Sequence, residues 1–155
     1  MVISNEHMRT NDIDWFCVVD NQYPIHLASN GSIIPEFAAD RIELSQIQQI
    51  VISKSPIPGI IVRPNTEHID ELRGLTGFNE DRYLESFRFF AERGFYSFDY
   101  EWNTQGKGHY KLLVRPSHPI SPEEMRRLPQ VSIKDLNGQY KDMFVELIQQ
   151  IKNLE

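Results

Sequence analysis

Asp99 and Glu101 stand two residues apart in an aromatic run, Phe95-Tyr96-Ser97-Phe98-Asp99-Tyr100-Glu101-Trp102, and His109, Lys111 and Arg115 follow after a glycine-bearing turn. A strand sends alternate side chains to opposite faces, so Ser97, Asp99 and Glu101 share one face and Tyr96, Phe98, Tyr100 and Trp102 the other. If the two halves pair as a hairpin, the carboxylates oppose Lys111 and His109 across the ladder. Three chemistries fit that pattern. Cross-strand ion pairs on a solvated face contribute roughly 0.2–1 kcal/mol each. A carboxylate–histidine pair with Arg115 serves acid–base catalysis in a small hydrolase or transferase. Carboxylates beside a turn tryptophan serve as a binding surface, with Trp102 as anchor.

Other groupings are weaker. Asp12 and Asp14 stand at i and i+2, fewer ligands than a cation site needs. Cys17 lies among Phe16, Val18 and Val19, the setting of an inert core thiol rather than a nucleophile paired with His26, His109 or His118. The five histidines show no ligand spacing, and no phosphate-binding loop, nucleophile elbow or H-E-x-x-H appears. No catalytic residue, cofactor or metal is assigned from the sequence.

The elements that must position the hairpin are legible around it. Tyr83, Phe87, Phe90 and Ala91 recur at helical spacing behind Asn79 as N-cap, with Glu80 and Asp81 in the first turn and Gly94 as the left-handed stop. Upstream, Ile13–Val19 and Tyr23–Ser29 read as two strands joined by an Asp20-Asn21-Gln22 turn. A helix opens at Pro35-Glu36 and runs to about Ser53, its stripe Phe37, Leu44, Ile47, Ile50 and Val51. Pro56 and Pro58 break the chain before a short strand at residues 59–62, and residues 66–75 make a weak helical turn. Ser121-Pro122-Glu123-Glu124 is a capping box with proline at N1. The last helix carries Tyr140, Phe144, Leu147, Ile148, Ile151 and Leu154 as a continuous stripe, with Gly138 near its start. Residues 1–11 read as frayed. Ile60–Asn65 and Leu112–Ser117 echo each other as strand and Arg-Pro exit, a match too short to establish duplication over convergence.

With 155 residues, 40% of them hydrophobic and 25% charged, the chain has the makeup of one globular domain spanning 1–155. No run approaches the length of a membrane span, and the N-terminus lacks the basic and apolar regions of a secretory signal. A single cysteine excludes an intrachain disulfide and fits a reducing cytoplasm. The net charge of −6 speaks against a general nucleic-acid binder and suits a basic protein partner or plain solubility.

Asp12-Ile13-Asp14-Trp15-Phe16, Ile25–Ser29 before Gly31, Ile34-Pro35-Glu36, Phe90–Asp99, Arg115-Pro116 and Leu128-Pro129 together resemble an uncharacterised bacterial protein family. The pattern spans most of the chain, and it resembles small companion proteins found beside secreted toxins, some of which are immunity proteins. The resemblance implies an accessory role and brings no catalytic residues.

The fold expected is α+β: one mainly antiparallel sheet of about five strands with helices mostly on one face. The function expected is a protein-binding accessory or immunity-type factor that covers a basic, toxin-like partner through Asp99, Glu101 and Trp102. The competing readings are an enzyme built on Asp99, Glu101, His109 and Arg115, and a self-associating domain without a ligand.

Overall fold

The computed structural model describes residues 1–155. The chain is α+β, built on a single mixed sheet of six strands: β1 (Asp14–Val19), β2 (Tyr23–Ala28), β3 (Val62–Pro64), β4 (Tyr96–Trp102), β5 (Gly108–Pro116) and β6 (Gln130–Val131). They lie in the order β3-β5-β4-β2-β1-β6. The hairpins β1–β2 and β4–β5 and the β3–β5 pair are antiparallel, while β2–β4 and β1–β6 are parallel. Parallel neighbours need a crossover. Between β2 and β4 it comprises α2 (Arg41–Ile52), β3, α3 (Thr66–Arg73) and α4 (Glu80–Ala91).

Helices cover both faces rather than mostly one. On one face, Phe144, Leu147 and Ile151 of the C-terminal helix, Gly138–Asn153, share a core with Trp15, Cys17, Leu27, Phe98 and Leu112. On the other, Phe90 and the α2 residues Ile47 and Val51 close over Phe16, Val18 and Phe95. Beside them Leu84 and Phe87 of α4 and Ile69 of α3 cover Ala28, Leu113 and Val114. The apolar run of β1 and the fully buried β2 follow from this double covering. The consequence for the hairpin is direct. The strand face carrying Ser97 and Asp99, expected to be solvated, lies under helices, and both residues are buried.

Local signals explain most element boundaries. Asn79 Oδ1 accepts the Arg82 amide as the cap of α4, and Ser121 Oγ accepts that of Glu124 to start α5 (Pro122–Met125). The helix expected from Pro35 begins only at Arg41, where Asp40 accepts the Ile42 and Glu43 amides. Residues 36–38 form a separate 3-10 turn. Two residues of the expected stripe are exposed, Phe37 in that turn and Ile50 on α2. Residues 1–11 are not frayed: Ser4 caps a short helix, α1 (Asn5–Thr10), Val2 bridges Asp40, and Ile3 and Met8 are buried. The C-terminal helix, α6, begins at Gly138, whose φ is +58°.

Gly94 holds the helix-to-strand corner at φ +90°, and a Cβ there would lie 2.5 Å from Ile120 Cγ2 and 2.6 Å from the Ile120 nitrogen. Both the left-handed backbone and the contact with main chain demand glycine. Gly94→Ala is expected to lower the unfolding free energy by about 2 kcal/mol, from left-handed strain plus overpacking. Urea denaturation of the purified variant measures it, and an unchanged midpoint would remove this account of the corner.

Candidate functional site

A cleft of about 600 Å³ opens at the far end of β4, beside α3 and the start of α4. Asp99, Glu101 and Trp102 all line it, so the structure brings together the three residues singled out in the hairpin. Asp99 and Glu101 project from one face of the strand. Trp102 and Tyr100 belong to the other and reach the cleft around the strand end, their rings 4.9 Å apart.

The carboxylates do not make the expected cross-strand ion pairs. Asp99 faces Lys111 and Glu101 faces His109 in the register, but their side chains turn to the helices above. Asp99 Oδ2 accepts the Tyr83 hydroxyl at 2.6 Å. Burial is the main force on this carboxyl and pushes its pKa up to about 6. The Tyr83 hydrogen bond pulls it back, and the charges of Asp12 and Glu101 add to the rise. Burial and the Asp99 carboxylate in turn drive the Tyr83 phenol upward. Tyr83 stands on Phe78, ring centroids 5.5 Å apart, which makes the cleft wall aromatic.

Glu101 accepts from His68 Nε2, and Glu71 lies 3.3 Å from His68 Nδ1. With a carboxylate at each nitrogen, the ring is stabilised as imidazolium. The hydrogen bond to Glu101 raises its pKa above the ordinary histidine value, against an opposing contribution from burial. The stability this bridge lends is therefore full below the ordinary pKa and is lost as pH rises through the raised one. His68 carries little signal in the sequence. Its i,i+3 relation to Glu71 is a weak helix-surface pattern, and its main partner, Glu101, is 33 residues away.

Trp102 is half exposed, yet fixed. Its Nε1 donates to the Asn30 carbonyl at 2.8 Å, and Asn30 Nδ2 donates to the Tyr100 carbonyl at 2.9 Å. The Asn30 amide is itself held by Asp12 Oδ1. Opposite Trp102 stands Gly108, where a Cβ would lie 2.2 Å from the Glu101 carbonyl oxygen. The Trp102 ring is thus held in place by hydrogen bonds within the chain.

The remaining polar residues go elsewhere. His109 and Arg115 do not line the cleft; Arg115 sits opposite Arg63 of β3. Cys17 is fully buried, and burial drives its thiol well above the usual range, which makes it a poor nucleophile. Asp12 and Asp14 part company, one on Asn30 and the other on His26.

His26 forms a chain with the composition of a hydrolase triad. Nδ1 lies 2.6 Å from Ser97 Oγ and Nε2 2.7 Å from Asp14 Oδ1, with the ring centroid 4.0 Å from that of Phe90. Its orientation is the reverse of a working triad. Ser97 has no exposed surface, while the Asp14 carboxylate faces solvent. A nucleophile must meet its substrate, so this chain pins β1, β2 and β4 together beneath α4. No cluster of three or more histidine, cysteine or acidic side chains has the arrangement of a metal site, and no helix is long and apolar enough to cross a membrane.

The chain matches no protein-family model, and no curated protein or solved structure matches it.

Proposed function

We propose that the protein is a binding factor that recognises a basic protein partner through the β4 end cleft, with Asp99, Glu101 and Trp102 as its contact residues. The observation that carries this reading is Trp102: a large ring, half exposed, held by the Asn30 carbonyl beside two carboxylates. An interface anchor that is already ordered loses little conformational entropy on binding, and tryptophan is enriched among the residues that dominate interfaces. The accessory or immunity-type role, exerted by covering a toxin-like protein in a reducing cytoplasm, is supported by the sequence resemblance, the single cysteine and the chain's net charge of −6.

The hydrolase or transferase reading draws on Asp99, whose carboxyl at about 6 exchanges protons near neutrality. It is the weaker of the two. The four residues it requires are not assembled, since His109 and Arg115 lie outside the cleft, and both nitrogens of His68 face carboxylates.

Charge on the cleft should govern the rate of encounter. With the cognate partner, sought first as the product of the adjacent gene, Asp99→Asn combined with Glu101→Gln is expected to slow association several-fold at low salt and flatten its salt dependence. Stopped-flow mixing at two ionic strengths measures this. Association rates identical to wild type at both would detach the carboxylates from the encounter surface.

A further inference from the structure

We propose that the cleft receives one basic side chain of the partner protein, its guanidinium or ammonium group seated between the Asp99 and Glu101 carboxylates and the aromatic wall of Tyr83 and Phe78. This rests on the partner-binding reading and specifies what the partner inserts.

Asp99 is more than nine-tenths buried, yet only its Oδ2 receives a side-chain hydrogen bond, from Tyr83. No lysine or arginine lies within ion-pair distance of it, including Lys111 directly opposite in the ladder. The neighbouring Glu101 places Oε2 on His68, and no hydrogen bond reaches its Oε1. A buried charge is ordinarily paired, yet Asp99 receives only the Tyr83 hydroxyl and a backbone amide, that of Tyr100, and neither carboxyl is paired with a lysine or arginine. Both carboxyls line an open cavity, so the complement can come from outside.

The lining selects among cations. A hard divalent ion takes six or more oxygen ligands, and the cleft has no metal-site cluster. An alkylammonium or guanidinium needs fewer oxygens and gains from aromatic faces, which Tyr83 and Phe78 supply, with Trp102 at the rim. Even with His68 protonated, the three carboxyls Glu71, Asp99 and Glu101 outnumber it, so the lining favours a cationic group.

The test uses the intact protein and small probes. N-acetyl-arginine amide and N-acetyl-lysine amide are titrated while Trp102 emission and the Glu101 and Asn30 amide resonances are followed, with N-acetyl-citrulline amide as the neutral control. Trp15 is fully buried, so a ligand-dependent change in emission reports on Trp102. A saturable response to at least one cationic probe is expected, with a dissociation constant on the order of millimolar, as befits a fragment of an interface. Citrulline amide should give none, and Glu101→Gln should weaken cation binding about 5-fold or more. Because Glu101→Gln also loosens the His68 bridge, Leu75→Arg is the second variant. Leu75 is an exposed cleft residue, and a fixed cation there should abolish probe binding without unfolding the chain. No saturable response, an equal response to citrulline amide, or cation binding that survives Leu75→Arg overturns the proposal. The titration needs no partner, so its failure leaves partner binding through the hairpin standing. Failure of the partner experiments with a positive titration would leave a cation site serving another ligand.

Discussion

A chain ending at Gly138 is expected to show no cooperative unfolding transition. Deletion of residues 139–155 strips Phe144, Leu147, Ile148 and Ile151 from the core they share with Trp15, Leu27 and Phe98. Full burial of such side chains is worth about 1.5–3 kcal/mol each, so the four together match the 5–15 kcal/mol by which a typical domain is stable. The helix also completes the sheet. β3 is short and pairs only with Val114–Pro116, which leaves the earlier part of β5 without a strand on that side. Gln150 of α6 fills the gap: its Oε1 accepts the Leu112 amide and its Nε2 donates to the Tyr110 carbonyl, both at 2.9 Å. Truncation therefore exposes an apolar face and an unpaired edge together, the setting for aggregation. Circular dichroism melting of the truncated chain measures the outcome. A sharp transition near the wild-type temperature would contradict the place given to α6.

Asp99→Asn is expected to stabilise the protein at neutral and alkaline pH. The folded-state pKa of Asp99 is raised from 3.8 to about 6, so the folded chain holds this proton more tightly than the unfolded chain. Stability from this group is thus highest below pH ~4 and falls as pH rises through the window between the two values. Above that window the buried carboxylate opposes folding by up to about 3 kcal/mol, since each tenfold gain in proton affinity on folding corresponds to about 1.4 kcal/mol. Asparagine keeps an acceptor for the Tyr83 hydroxyl and carries no charge. The difference between Asp99→Asn and wild type should therefore be near zero at pH 4 and grow to as much as about 3 kcal/mol at pH 8. Urea denaturation of both proteins at the two pH values gives this difference directly, with the titration of His68 common to both. A variant less stable than wild type at pH 8 would mean that the charged form is favoured by the fold.

The parts of this fold governed by local chemistry are legible in the sequence. The alternation of Phe95–Trp102 marks β4, the Asn79 cap and Gly94 bracket α4, and the 140–154 stripe marks α6. What is not legible depends on distant partners. β6 has two residues and exists because the Val18 and Asp20 amides donate to the Pro129 and Val131 carbonyls, a pairing no short pattern encodes. The parallel β2–β4 register requires the whole crossover. Nor does alternation say whether a polar face meets water or a helix. It places Asp99 and Glu101 on the correct face, but Tyr83 and His68, their hydrogen-bond partners, come from α4 and α3. For the same reason Asp14, His26 and Ser97, from three different strands, give no signal as a chain.

If Trp102 anchors a protein partner at this cleft, as proposed, its removal must show in the dissociation constant of the Trp102→Ala variant. The ring is half exposed at the end of β4 and leaves no void in the main core, so the variant should fold as wild type does. Isothermal titration of the partner into wild type and variant at moderate salt compares the two. A loss of at least about 2 kcal/mol of binding is expected, roughly a thirty-fold rise in dissociation constant, as for a central aromatic hot spot. An unchanged dissociation constant in a folded Trp102→Ala protein would contradict that anchoring role and take the hairpin out of the interface.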